Sequence, residues 1–468
     1  MTAGALLDEP VPMPRGRRRT ELVMLVFALA VVLLAFVASS LGLSGKVTGL
    51  PVFLLIFIVL MLAAHAAVRQ FAPYADPLLL PLAALLNGLG VVMIYRLQES
   101  GRAGNPCCLI SPTMATSSSS TQLIWTAVGV LGLVAVLVLI REARILQRYT
   151  YTLGALALVL LALPAVIGTS INGAKVWITF GGFSIEPGEF ARLALAVFFA
   201  GYLVAKRDAL ALAGHRVVGI DLPRARDLLP VAACWLASLL ILVFETDIGT
   251  SALFFGLFVA MIYVATQRTS WLLIGVLAFL GGTFITAQLF GHVMERFTVW
   301  LHPFAGSNPS NGSFQLLQGL YGMAFGGIFG TGLGQGQPYH TPLVQSDFIF
   351  TAFGEELGLV GGMALLLVFG LLVQRGLRAA IAVKDPFSKL LAAGLSFVLA
   401  LQVFVIVGGV TRLIPLTGVT TPFLSQGGSS MVASWLLVGL LIRISNSARQ
   451  PAPQPIQDEG MTQVVRAV

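Results

Sequence analysis

This chain has little charge: Asp, Glu, Lys and Arg together make up 10% of its 468 residues, whereas 57% are apolar. So few charges cannot cover the surface of a water-soluble protein of this length, which excludes an ordinary soluble enzyme. Cysteine is scarce as well, at three residues. Cys107 and Cys108 are adjacent and Cys234 falls inside an apolar run, so neither a disulfide-stapled ectodomain nor a cysteine metal site follows. The five histidines form no ligand cluster that would fix a metal.

What the chain does have is long apolar runs, each about 17 to 22 residues, the length that crosses roughly 30 Å of hydrocarbon as a helix. Twelve are legible, at 22–43, 50–68, 77–95, 121–141, 149–168, 189–205, 229–244, 247–266, 271–290, 350–374, 388–410 and 430–446. The expected fold is an all-α polytopic membrane protein of about twelve transmembrane helices, with a large loop between helices nine and ten. The first run is longer than the apolar part of a signal peptide and reads as a retained anchor. Residues 1–20 and 447–468 are polar, Pro-bearing tails expected to be disordered.

Lys and Arg set the expected orientation, because they stay on the cytoplasmic side. With both termini inside, 21 of the 28 fall on cytoplasmic segments. The other seven are Lys46, Arg96, Arg102, Lys175, Arg192, Arg296 and Arg412. This bias accounts for the net charge of +8 through contact with anionic membrane lipids, without nucleic acid.

Polar chemistry concentrates in four outside stretches, 169–192, 244–251, 291–356 and 411–430, where interrupted apolar sequence needs shelter from lipid. They are expected to line one cavity. Glu189 and Arg192, three apart after Pro187, share a helix face and are expected to pair. Asp247 is expected to join them in a buried network that positions helices more than it stabilises them. Gly326-Gly-Ile-Phe-Gly-Thr-Gly-Leu-Gly-Gln-Gly lacks the preceding strand of a nucleotide loop, so its glycines are read as letting backbone approach a membrane helix or an elongated ligand closely. Asp347, Glu355 and Glu356 follow it, and ionisable groups at a bilayer boundary mark a site for a polar substrate. Ser429 and Ser430, after Gln426-Gly-Gly, suit either a helix cap or an oxyanion.

Several ordered motifs now resemble the SEDS family of bacterial shape, elongation, division and sporulation proteins, the RodA/FtsW group. Glu186-Pro-Gly-Glu-Phe-Ala-Arg is similar to that family's Gln-Pro-Ser-Glu-x-x-Lys, and Asp247-Ile-Gly-Thr-Ser to its Asp-Leu-Gly-Thr-Ser. The glycine stretch, Asp347-Phe-Ile-Phe with Gly354-Glu-Glu-Leu-Gly, and Pro415 to Ser429 resemble three more, in order. The resemblance covers residues 77–446 as a ten-helix core, leaving 21–76 as two additional N-terminal helices. It implies a glycosyltransferase that polymerises lipid II into peptidoglycan at the outer face of the bacterial plasma membrane. A class B penicillin-binding protein and other cell wall elongation or division proteins are the implied partners, and a divalent cation, Mg or Mn, the implied helper. The candidate substrate-binding residues are Lys175, Trp177, Glu189, Arg192, Asp247, Arg296, Gln315, Glu355, Glu356, Arg412 and Ser429.

The chain departs from the family where its catalytic Asp belongs: the matching stretch is Gly306-Ser-Asn-Pro, with Asn308 in the Asp position. A neutral amide is no base at pH 7, so Asp347, Glu295 or His302 is the candidate replacement. Glu186, where the family has Gln, is a second departure and adds negative charge beside Glu189. A transporter of lipid-linked precursor and a noncatalytic scaffold for a penicillin-binding protein are the competing readings. The first suits twelve spans but lacks a visible inverted repeat, and the second follows from Asn308.

Overall fold

The computed structural model describes residues 16–46, 52–102, 119–171, 174–180, 183–206, 215–217, 220–222, 233, 236, 248–304 and 312–451. Thirteen α-helices run through these residues. They are α1 (Gly16–Ser44), α2 (Val52–Phe71), α3 (Leu79–Arg102), α4 (Ser119–Leu139), α5 (Thr150–Ile167), α6 (Pro187–Ala205), α7 (Ile248–Thr266), α8 (Ser270–Leu289), α9 (Gly291–Leu301), α10 (Gly312–Gly326), α11 (Ile349–Ala382), α12 (Pro386–Val410) and α13 (Gly428–Arg449). Eleven helical segments are long and apolar enough to cross a membrane, and each overlaps one span read from the sequence. The chain is a multi-pass membrane protein. The span expected at 229–244 lies outside the described residues, apart from helical Ala233 and Leu236.

The spans differ in what surrounds them. α13 and α6 are almost wholly enclosed by other helices, whereas α8 presents Leu273, Val276, Leu277 and Phe284 outward, as a lipid-facing helix does. Small residues let the central helices approach: Gly129 of α4 sits under the Trp435 ring of α13, and Gly439 of α13 lies on Leu133 of α4. The N-terminal pair is anchored to this core separately. α1 packs on α3 and α2 on α4, and buried Glu21 of α1 ties the two together by accepting from Arg69 and bonding His65 Nδ1 at 2.8 Å.

Two expectations are corrected, on the tails and on Arg96, and the expected loops gain local detail. Both expected tails are partly helical, because α1 begins at Gly16 and α13 continues to Arg449, while residues 1–15 and 452–468 lie outside the described residues. The large loop between the ninth and tenth spans contains α9 and α10. Antiparallel strands β1 (Thr169–Ile171), β2 (Ala174–Phe180) and β3 (Phe183–Ile185) occupy the stretch before α6, and β4 (His215–Val217) pairs with β5 (Ile220–Leu222). Their Val, Ile, Thr and Phe content suits strands, a local preference that a search for membrane spans does not register. Arg96, read as a loop cation, sits inside α3, which extends to Arg102. All three cysteines lie outside the described residues.

Candidate active site

The glycine stretch proves to be a splint for a broken membrane helix. α11 is interrupted at Gly358, whose backbone adopts φ 70°, ψ −169°. A break inside a bilayer leaves carbonyls and N–H groups without water, so protein must satisfy them. Here the loop following α10 does so. Thr331 and Gly332 donate N–H to the carbonyls of Glu355 and Glu356 at 3.0 and 2.9 Å, and Leu359 and Val360 donate to the carbonyls of Gly327 and Ile328 at 2.9 and 3.1 Å. Backbone can run this close only without side chains: a Cβ on Gly330 would strike the Glu356 carbonyl, and one on Gly358 would strike Gly330 N and the Ile328 carbonyl. Both glycines also have positive φ. Gly358→Ala is therefore expected to cost at least about 1–3 kcal/mol, seen as a lowered thermal unfolding midpoint; an unchanged midpoint would remove the splint from the account.

The two carboxylates of this turn point into the same loop. Glu355 Oε1 accepts the Gln337 N–H at 2.5 Å. Glu356, fully buried, accepts from Arg96 Nε at 2.5 Å and from the Gly334 N–H at 3.1 Å. Arg96 completes its fork with the Gly336 carbonyl at 2.5 Å and with the Ser100 hydroxyl. All three guanidinium nitrogens are thus engaged, and the pair locks α3, α11 and the glycine loop together.

A second cluster forms where helices begin at the opposite, C-terminal side of that loop. The N-termini of α4, α6, α7, α11 and α13 meet around residues 411–427. Gln122 of α4 donates to the Ser425 carbonyl at 3.0 Å, and Ser429 of α13 accepts the Glu186 N–H ahead of α6 at 3.1 Å. Gly249 of α7 abuts the Thr417 carbonyl and Val419. Gln426 donates to the Gln345 carbonyl at 2.8 Å, and Ser425 donates to that of Ser346, just ahead of α11. Such ends carry partial positive charge and unsatisfied N–H groups, so their convergence favours an anion. Leu343, Arg412 and Phe423 hold left-handed backbone here, three of the four non-glycine residues that do so among those described. Strain of this kind persists only where packing enforces it, and it gathers at functional sites.

α9 roofs this junction. Arg296 Nη1 donates to the Thr417 and Leu416 carbonyls at 2.8 and 3.2 Å. Trp300 Nε1 donates to the Arg412 carbonyl at 3.1 Å, and Arg412 Nε returns a bond to the Trp300 carbonyl at 2.9 Å. Both cations therefore hold the roof in place. Half-buried Asp347 lies beneath and accepts from the Ser346 hydroxyl at 2.9 Å. Burial pushes its carboxyl up to about 6, against the lowering influence of the Ser346 hydroxyl, its own backbone N–H and Arg296. A carboxyl so tuned is ionised at neutral pH and still basic enough to take a proton.

Each residue singled out from the sequence can now be located. Glu189 and Arg192 form the expected ion pair, both buried on α6 with Pro187 as its first residue. Asp247 and Asn308 lie outside the described residues. Lys175 and half-buried Trp177 are in β2, where Trp177 pairs with Thr169. Gln315 of α10 donates to the Pro342 carbonyl at 2.9 Å, on the path to Asp347. Glu295 and His302 are exposed on and just after α9. Ser429 does not cap α13, whose N-cap is Gly427, but bridges to Glu186. Sequence reasoning missed Gln122, and it did not single out within their motifs Ser425, Gln426 or Ser346: the Gln122 and Ser425 side chains and the Gln426 N–H donate to distant carbonyls, that of Ser346 among them.

Among the described residues no group of three or more His, Cys, Asp or Glu side chains converges as a metal cage. Asp247, a carboxylate of the stretches expected to meet, lies outside those residues.

Residues 76–450 match the family described as "Cell cycle protein", FtsW/RodA/SpoVE. A relative from Mycobacterium tuberculosis, "Peptidoglycan glycosyltransferase RodA", is 47% identical over 451 residues, covering 94% of this chain and 92% of its own. At that coverage the match extends into the N-terminal helix pair, which the family match leaves out. The crystal structure of Thermus thermophilus "Rod shape determining protein RodA" aligns with TM-score 0.54 and 25% identity, over 81% of this chain and 98% of that one. A chain from the study "Structural coordination of polymerization and crosslinking by a peptidoglycan synthase complex" aligns with TM-score 0.53 and 24% identity, over 85% and 98%.

Proposed function

Because this chain belongs to the FtsW/RodA/SpoVE family of cell cycle proteins, we propose that its outer junction is where lipid II is polymerised. The chain is a peptidoglycan glycosyltransferase, and the observation that carries this is its near full-length similarity to a relative of that name. The finer reading concerns substrate, orientation and residues. Both termini are placed in the cytoplasm and the junction at the outer face of the bacterial plasma membrane, in line with the Lys and Arg bias.

In this reaction a sugar hydroxyl on one lipid-linked unit attacks the anomeric carbon of another. The new C–O bond forms as the bond to the diphosphate breaks, the hydroxyl proton passes to a base, and a polyprenyl diphosphate departs. Five helix N-termini with Arg296 and Arg412 at the roof suit the charge that develops on the leaving diphosphate. Asp347 is the carboxylate best suited to take the proton, since it lies under that roof with a carboxyl near 6. A divalent cation would arrive with the diphosphate. A class B penicillin-binding protein is the proposed partner, consistent with a neighbour of the same fold studied in a peptidoglycan synthase complex.

The test is polymerisation of lipid II by the purified chain with its penicillin-binding partner and no other polymerase. Glycan strands are expected on a gel. Their absence, with intact lipid II still bound, would reduce the chain to a scaffold.

A further inference from the structure

The 50 residues from Phe297 to Ser346 hold no Asp, Glu, Lys or Arg. A stretch of that length bathed in water would carry about twelve, since roughly a quarter of the residues in soluble proteins are charged. α10 lies within it and, at 15 residues, is too short to cross a membrane. Gly319 of α10 packs on Phe348 and Thr351, and Gly326 on the Gly354 carbonyl, so α10 descends alongside the start of α11. At its end three large apolar side chains face outward: Phe325 and Phe329 are each 83% exposed and Ile328 is 61% exposed.

Two charge pairs give the depth of this tip. Asp76, just ahead of α3, meets Arg375 of α11 at 3.8 Å, and Arg96 of α3 donates to Glu356 of α11 at 2.5 Å. Asp76 and Arg96 are 20 residues apart, and Glu356 and Arg375 are 19 apart. Either separation makes about 30 Å of helix, the thickness of the hydrocarbon layer. Charges are costly inside that layer, so the pairs mark its two edges. Leu359 and Val360, just past Glu356, therefore lie about 5 Å inside it. They donate N–H to the Gly327 and Ile328 carbonyls at 2.9 and 3.1 Å, which holds the tip of α10 at that depth. Tyr321, 51% exposed and one turn nearer the start of α10, comes level with the headgroups, where an amphipathic ring is favoured.

We infer that α10 is a re-entrant mooring in the leaflet on the junction's side, with Phe325, Ile328 and Phe329 among the acyl chains and Tyr321 at the headgroups. The apolar tip continues the lipid-facing side of α11, where Val360, Met363 and Leu367 are exposed, so its partner is the same hydrocarbon. Gln315 of α10 donates to the Pro342 carbonyl, and the leaflet thereby fixes the depth of the segment leading to Asp347.

The full chain, with Cys107, Cys108 and Cys234 changed to Ala, would be spin-labelled at one introduced cysteine and reconstituted in phosphatidylglycerol–phosphatidylethanolamine vesicles. Power-saturation EPR then compares relaxation by oxygen, which concentrates in hydrocarbon, with relaxation by a water-soluble nickel chelate. Phe325→Cys and Phe329→Cys replace outward-facing rings and so spare the packing. Their oxygen-to-nickel ratio is expected to approach that of Leu277→Cys on lipid-facing α8 and to exceed that of Glu295→Cys on α9 several-fold, with Tyr321→Cys between. A ratio at Phe325 and Phe329 equal to that at Glu295 would put the tip in water and overturn the mooring. Exclusion of both reagents there would mean that a second copy of the chain covers the tip, and would overturn the assigned partner.

Discussion

Arg96→Ala is expected to destabilise the protein by about 3–5 kcal/mol, the usual cost of breaking a buried ion pair from one side. The variant leaves Glu356 charged and fully buried, and it also releases Ser100 and the Gly336 carbonyl. With Gly336 freed, the glycine loop loses one of its ties to α3, and the backbone bonds that splint the break at Gly358 loosen with it. Thermal unfolding in detergent would read the loss directly. The decisive comparison is a double-mutant cycle with Glu356→Leu. If the two residues act as a pair, Arg96→Leu with Glu356→Leu should harm the protein much less than the sum of the single changes. Additive losses would mean that each residue stabilises the fold through other partners.

Asp347→Asn is expected to slow glycan strand synthesis by about 10²–10⁴-fold, the usual contribution of a general base, while leaving lipid II binding intact. The pH dependence has a definite sign. A base works in its ionised form, and this carboxyl titrates at about 6, so the wild-type rate should be level above that value and fall as pH drops through it. In Asp347→Asn that inflection should vanish. Asn308→Asp, which restores the carboxylate of the family pattern, should recover strand synthesis in the Asp347→Asn background. An unaltered rate in Asp347→Asn would move the base to Glu295 or His302.

How much of this was legible beforehand differs by residue for physical reasons. Span positions were legible because the cost of placing polar side chains in hydrocarbon writes itself into composition, and every described span lies where the apolar runs put it. The Glu189–Arg192 pair was legible because its geometry depends only on helical spacing. Arg96 was misread because it sits just past the apolar run, where a helix continuing to Arg102 and a loop look alike in sequence; its partner is 260 residues away. The break at Gly358 was invisible for a related reason. Gly354-Glu-Glu-Leu-Gly names the spot, but only the arrival of Gly327, Ile328, Thr331 and Gly332 makes the interruption tolerable. The outer junction was legible as four stretches expected to meet. Their meeting through neutral Gln and Ser side chains was not, since such residues carry no periodic signal.

The close approach of α1 to the glycine loop, where Gly42 lies against the Leu333 carbonyl and Gly334 against the Ser39 carbonyl, also fixes an order of assembly. The two surfaces are 292 residues apart in the chain. At ribosomal speeds of about 5–20 residues per second, α1 waits roughly 15–60 s in the bilayer before the loop that completes its docking has been made. During that interval α3 and the latch at Glu21 can hold it in place, but its C-terminal end has no protein neighbour from the loop. The docking of α1 is therefore completed late, so a nascent chain stalled before residue 333 would carry a membrane-inserted but unfinished synthase.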